Sequence, residues 1–141
     1  MIDVQVIIDR LQAETAYTID FSRDIELNDQ VISELPVVYV GYATMDSRNP
    51  NAAIAYSFLE EHGENLIQSF DVKIVSTVEN FSPVWINVYR ALNTYMSDRT
   101  GATSFTTGLT YAQGGILGLS NGKIWHVDRW RIGLPTTNPL I

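Results

Sequence analysis

The chain has 141 residues, 45% hydrophobic and 18% charged, the size and composition of one domain able to bury its own core. Its 9 Lys and Arg stand against 16 Asp and Glu, a formal net charge of -7, which argues against a surface built to neutralise phosphates or bind anionic lipid. With no cysteine there is no disulfide framework, thiolate nucleophile or Cys-bound zinc, and folding has to rest on packing.

The first ten residues, MIDVQVIIDR, carry acids where a signal peptide needs a basic start. No apolar run approaches the ~20 residues that cross a bilayer. The expected location is inside the cell that makes the chain, until something assembles. Asp3 precedes Val4, Ile7, Ile8 and Leu11, spaced three and four apart, which predicts a short helix capped by Asp3. Tyr17, Ile19 and Phe21 then alternate with Thr18, Asp20 and Ser22, the period of a half-buried strand. From Arg23 to Pro36 acids dominate without a steady period, which reads as a loop with at most one turn of helix.

Val37 to Tyr42 is almost continuously apolar after Pro36, as in a central strand covered on both faces. Asp46 to Asn51 is dense in turn formers and reads as an exposed loop. In Ala52 to Glu61 the alternation of Ile54, Tyr56 and Phe58 favours a strand, with Glu60 to Asn65 as its turn. Ile67 to Val78 is the clearest strand, with Phe70, Val72, Ile74 and Val78 on one face and Ser69, Asp71, Lys73, Val75 and Thr77 on the other. Paired with the strand before it, it makes a long hairpin whose tip carries Glu60, Glu61 and Glu64.

Ser82-Pro83 reads as a helix start, a hydroxyl cap followed by proline where its missing N–H does no harm. The stripe Val84, Val88, Ala91/Leu92, Tyr95 is its buried face, Arg99 suits its C-terminal end, and Gly101 is the stop. A Ser/Thr/Gly connector follows. Leu109 to Leu119 and Lys123 to Ile132 then flank Ser120-Asn121-Gly122, and Asn-Gly supplies the two positive φ angles of a type I′ hairpin turn. Ile124, Val127 or His126, and Trp130 compete for the buried face of the second strand. Gly133 to Ile141 reads as an extended tail. Turns rather than βαβ crossovers join the strands, so the expected fold is α+β. It is a single domain over 1–141 with a mixed, mostly antiparallel sheet, two main helices on one face and a projecting hairpin.

No catalytic constellation stands out. His62 beside Glu60, Glu61 and Glu64 suggests a divalent metal, but a solvated turn accounts for it more simply. His126 and Asp128 suggest an acid/base pair, yet residues two apart on a strand merely share a face. There is no G-x-S-x-G elbow. Gly114-Gly115 with Gly118 lacks both G-x-G-x-x-G and GK[ST], and marks a bulge or a close backbone approach. Trp85, Trp125 and Trp130 read as core or interface anchors, because base stacking would also want a basic groove. Lys123, Arg129 and Arg131 make the last strand basic, while Asp20 to Glu34 and Glu60 to Asp71 are acidic. A solvated surface explains this, as does a head-to-tail contact between identical subunits, which closes into a ring.

The helix segment VIIDRL, the strand PVVYVGYA, the run LIQSFDVKIVSTV, the helix after F-S-P and the ending LTYAQGGILGLSNGKIWHVDRWRI together resemble the tail terminator proteins of long-tailed bacteriophages. Tyr111, Gly114-Gly115, Asn121-Gly122, Trp125 and Asp128 carry most of the resemblance, with Gln68 and Val72. It runs from Val4 to Ile132, departs over Ala52 to Asn65 and ends before the tail. It implies a structural virion protein, not an enzyme, with no cofactor: a hexameric ring that caps the tail tube, stops its polymerisation and offers a docking surface to the head. The implied partners are further copies of the chain, tail tube protein, the head-tail connector or stopper protein and, as a further candidate, sheath protein. Genomic DNA passes through without specific binding, and no membrane is involved. On this reading Glu60, Glu61, Glu64, Lys123, Arg129 and Arg131 are interface candidates, and the Glu60 to Asn65 turn or the tail reaches a neighbour. The alternatives are another neck or tail protein (a head-tail joining protein or a tube subunit), a small cytoplasmic interaction module, or an enzyme acting at His126-Asp128 or His62-Glu64.

Overall fold

The computed structural model describes residues 2–22, 35–47, 64–95 and 108–135. They form helix α1 (Val4–Glu14), strands β1 (Thr18–Phe21), β2 (Val37–Ser47) and β3 (Glu64–Thr77), helix α2 (Phe81–Leu92), and strands β4 (Thr110–Ser120) and β5 (Lys123–Pro135). The strands make one sheet in the order β1-β2-β3-β5-β4. Only β1 and β2 pair in parallel; the other neighbours are antiparallel. The fold is α+β, as its sequence pattern predicts.

α1 begins where Asp3 accepts a hydrogen bond from the Gln5 amide at 2.9 Å, and it buries Val4, Ile7, Ile8 and Leu11. α2 buries Val84, Val88, Ala91 and Leu92. Both helices pack on one sheet face, where Val38, Val40, Phe70, Val72, Ile74, Trp130 and Ile132 complete the core. Burying an aliphatic side chain of this size contributes about 1.5–3 kcal/mol, so this two-layer stripe dominates stability. Arg10 locks the helices together: its Nε donates to the Ala91 carbonyl at 2.9 Å and its guanidinium lies 4.6 Å from the Tyr95 ring. That contact satisfies a carbonyl at the C-terminal end of α2, which helix geometry leaves without an internal partner.

Several expectations are corrected. The helix predicted from Ser82 to Gly101 starts earlier and stops sooner. Asn80 is its N-cap, without a side-chain cap bond, and Asn93 its C-cap. Ser82 and Pro83 therefore sit inside the first turn, where the missing N–H of proline is harmless. The helix ends because Thr94 takes a left-handed φ of 63° and hands its amide to Leu109 at 2.9 Å, while Leu109 donates to Tyr95 at 3.0 Å. Arg99 and Gly101 lie outside the described residues.

β3 does not pair along its length with a strand at 52–61. Its two edges are taken by β2, over Leu66 to Val75, and by β5, over Glu64 to Thr77. Glu64 and Asn65, expected in a turn, are strand residues for the same reason. β5 runs on to Pro135 and extends the ladder to Glu64, so Gly133, Leu134 and Pro135 belong to the sheet and not to a tail. β2 likewise absorbs Asp46 and Ser47, whose turn propensity loses to pairing with Ile67 and Leu66. β2 is an interior strand between β1 and β3, as its apolar run predicts, and β3 occupies the middle of the sheet. Phe21 and Val78, both assigned to apolar faces, are exposed: the first lies on an edge strand and the second in the turn after β3. The expected loop at 23–34 and strand at 52–61 lie outside the described residues, as do His62 and 136–141.

The β4–β5 hairpin forms as predicted. Asn121 and Gly122 take φ of 51° and 72°, and Ser120 faces Lys123. That register settles the competition on β5: Ile124, His126, Asp128, Trp130 and Ile132 point toward the helix layer, and Lys123, Trp125, Val127, Arg129 and Arg131 toward the open face. Trp125 is nevertheless buried there, in a second small cluster with Val37 and Val75.

Candidate functional site

The described polar side chains converge most densely on Asp128. Strand alternation turns it toward the helix layer, and it is only 1% exposed. Its Oδ2 accepts from Trp85 Nε1 at 2.7 Å, and its Oδ1 from the Tyr111 hydroxyl at 3.1 Å and from His126 Nε2 at 2.7 Å. A carboxylate offers only acceptors, so the His126 tautomer that fits carries its hydrogen on Nε2. Trp85 stacks on Tyr89 with 5.3 Å between ring centroids, and Tyr111 and Tyr89 each lie 5.5 Å from Trp130. A buried carboxylate is tolerated when it is well hydrogen-bonded, and here three donors from α2, β4 and β5 meet it. Burial, and then the neighbouring Asp128 charge, raise the Tyr111 hydroxyl above its ordinary value near 10, which keeps it a donor through neutral pH.

Gly114 makes room for this cluster. It faces Asp128 across the β4–β5 ladder. A Cβ at this position would collide with Asp128 Oδ1 and the Tyr111 hydroxyl and come within 3.2 Å of His126 Nε2. The close approach expected at Gly114-Gly115 is found at Gly114 and not at Gly115, where a Cβ would meet nothing within 4 Å, and the β4–β5 register shifts on either side, between Tyr111 and Gln113 and between Ile116 and Gly118. A second polar clamp holds the N-terminal end. Gln68, 2% exposed, accepts from the Ile2 amide at 2.7 Å and donates to the Ile2 carbonyl at 2.8 Å.

His126 and Asp128 share more than a strand face: they are bonded. The partner that sequence reading misses is Trp85, 43 residues away, and the only local signal for it is an aspartate in an otherwise apolar alternation. Carboxylate, imidazole and phenol in contact have the composition of an acid/base relay. Both carboxylate oxygens are occupied, however, so the geometry fastens β5, β4 and α2, while the buried Nδ1 of His126 has no hydrogen-bond partner among the described residues. Among the described residues no group of three or more His, Cys, Asp or Glu could hold a metal ion, and no helix is long and apolar enough to cross a membrane.

Of the interface candidates, Lys123, Arg129 and Arg131 share the open face of β5. Arg129 binds Asp71 across the β3–β5 ladder, its Nε at 3.1 Å from Oδ1. Asp71, counted with the acidic segment, thus sits inside the basic one and divides it. Glu64 lies further along the same sheet, at the end opposite Lys123, and Glu60 and Glu61 are outside the described residues.

The sheet's outer edges are the other notable surface. Among the described residues β4 has neighbours on one side only. Its eleven residues, TYAQGGILGLS, hold no charge and no proline, and Ile116, Leu117 and Leu119 are 57%, 43% and 64% exposed. Edge strands normally carry charges, proline or short length against pairing with another chain. No protein-family model matches this sequence, and comparison with curated proteins gives no match.

Proposed function

We propose that this chain is a structural subunit of a long-tailed bacteriophage virion, a tail terminator that sits as a hexameric ring on the tail tube, ends its polymerisation and offers the head its docking surface. The observation that carries the reading is the outer edge of β4, uncharged, with exposed apolar side chains and without a neighbouring strand among the described residues, of a kind that chains working alone avoid. The residues on which the family resemblance rests support it. Tyr111, Gly114 and Asp128 meet in one buried fastening and Gln68 clamps the N-terminal end, so the resemblance follows the scaffold. In this role the chain acts in the virion neck, joins copies of itself, tube protein and the head's connector, and needs neither cofactor nor reaction.

The test is electron microscopy of the purified protein mixed with tubes grown from the tube protein of the same genome. Ring density at one tube end, with elongation stopped, is the expected result. Tubes that lengthen unchanged and bare would sink the proposal. Incorporation along the tube would indicate a tube subunit, and binding to the head connector alone a head-tail joining protein. Complementation of a terminator-defective phage separates the same alternatives in infected cells.

A further inference from the structure

We infer that the two outer strands of the sheet are complementary halves of one intersubunit contact, in which β4 of one copy pairs with β1 of the next, so that the sheet runs on from subunit to subunit. The inference rests on the ring reading for closure of the assembly, and on the edges themselves for the contact.

Four observations carry it. First, both outer strands present exposed apolar side chains on the helix side of the sheet. On β4, Ile116 and Leu119 face His126 and Ile124, beyond the reach of the helices. On β1, Phe21 lies opposite Val40, is 44% exposed and stands edge-on to the exposed Tyr42 at 6.4 Å. In a continuous sheet these sets fall in one layer and cover each other. Second, the lengths agree. Between its two register shifts β4 has a regular run of four, Gln113 to Ile116, with Gly118 to Ser120 regular beyond the second, and β1 is the four residues Thr18–Phe21.

Third, the directions agree. β1 is parallel to β2, and the steps to β3, β5 and β4 are each antiparallel, so β1 and β4 run oppositely. A rotation about an axis along the strands brings β1 of the next copy antiparallel to β4, the more stable ladder. The contact joins unlike patches, and such heterologous contacts close into rings. Fourth, the charges agree. Asp20 alternates onto the open face beside Tyr39, whose hydroxyl is raised by burial and then by that carboxylate. The β4 side offers Lys123 and Arg131 on the same open face, Arg129 between them being paired with Asp71. The β4 edge has no charge of its own to oppose the approach of Asp20.

The native chain has no cysteine, so single-cysteine variants report the contact cleanly. Phe21→Cys and Ile116→Cys are both at exposed sites, with Glu79→Cys in the turn before α2 as control. Mixed and treated with a short bis-maleimide at high protein concentration, F21C and I116C should give a dimer severalfold above the mixture of I116C with E79C. I116C alone should give no more than that control. Self-linking of I116C as efficient as its linking to F21C would overturn the inference in favour of two-fold pairing of β4, and a yield at the control level would overturn it outright.

A second measurement removes dependence on the linker. Ile116→Lys and Phe21→Lys, each verified as folded by circular dichroism, should not associate separately, yet combine into 1:1 pairs in native mass spectrometry, because each retains the edge that the other lacks. Microscopy on tubes keeps the two ideas apart. If I116K still caps tubes with a complete ring, the edge contact is wrong and the ring stands. If the unsubstituted protein forms no ring while F21C links to I116C, the ring is wrong and the edge contact stands.

Discussion

Replacing Gly114 by alanine adds one methyl group, and the structure specifies what it strikes. The new carbon would overlap Asp128 Oδ1 and the Tyr111 hydroxyl and press on His126 Nε2 at 3.2 Å. Either β4 retreats from β5, or the carboxylate gives up its bonds to Tyr111 and His126. Depriving a buried charge of its partners costs about 3–5 kcal/mol, and partial relaxation places the substitution near the lower end. In a domain of this length each kcal/mol moves the melting temperature by roughly 2–4 °C, so a fall of about 10 °C is expected for Gly114→Ala. Gly115 is the control. A Cβ there meets nothing within 4 Å, and Gly115→Ala should stay within about 0.5 kcal/mol of the unsubstituted chain, as open surface sites do. Urea unfolding followed by tryptophan fluorescence measures both. Equal midpoints for the two variants would show that Gly114 does not make room for the Asp128 cluster.

Three further outcomes follow from the same contacts. Trp85→Phe keeps an aromatic ring beside Tyr89 but removes the N–H that reaches Asp128 at 2.7 Å, and should cost about 1.5–3 kcal/mol in urea unfolding, the range for a hydrogen bond to a charged group. Gln68→Leu leaves the buried amide and carbonyl of Ile2 without partners; a loss of about 2 kcal/mol should come with faster hydrogen exchange at Ile2 than at the core amides of β3. The Tyr111 hydroxyl is raised in the fold by burial and by Asp128, so the folded state binds its proton more tightly than the unfolded chain does. That stabilisation is complete below the unfolded value near 10 and is lost as pH rises through the folded value. Unfolding free energy measured across the alkaline range should fall there, and Tyr111→Phe should fall less; parallel curves would remove Tyr111 as a cause.

The ordering of these costs also explains why the chain keeps such a cluster. An apolar replacement of a buried polar network is often neutral or stabilising, so the benefit to seek is geometric. Asp128 fixes the height of Trp85 on α2 against Tyr111 on β4, and thereby the position of the outermost strand relative to the core. On the proposed function this matters, because a ring contact made through β4 requires that strand to be held in one place.

What the residues determined alone are the features governed by neighbours in sequence. Asp3 with the Val4, Ile7, Ile8, Leu11 spacing specifies α1, because a cap and a 3.6-residue period are local properties. Asn121-Gly122 specifies the β4–β5 turn, because few pairs accept two positive φ angles, and the alternation through Phe70, Val72 and Ile74 specifies β3. Tertiary structure decided whatever depends on who lies alongside. Turn formers at Asp46-Ser47 and the polar pair Glu64-Asn65 became strand because a neighbouring ladder was there to receive them. α2 gave up the turns predicted beyond Leu92 because Thr94 and Tyr95 bond to Leu109. His126, Asp128, Tyr111 and Trp85 became one site because a two-residue period, a bulged partner strand and a packed helix met at one point. Pairing and burial between distant segments contribute more than local propensity, and no single stretch of the chain encodes its partner.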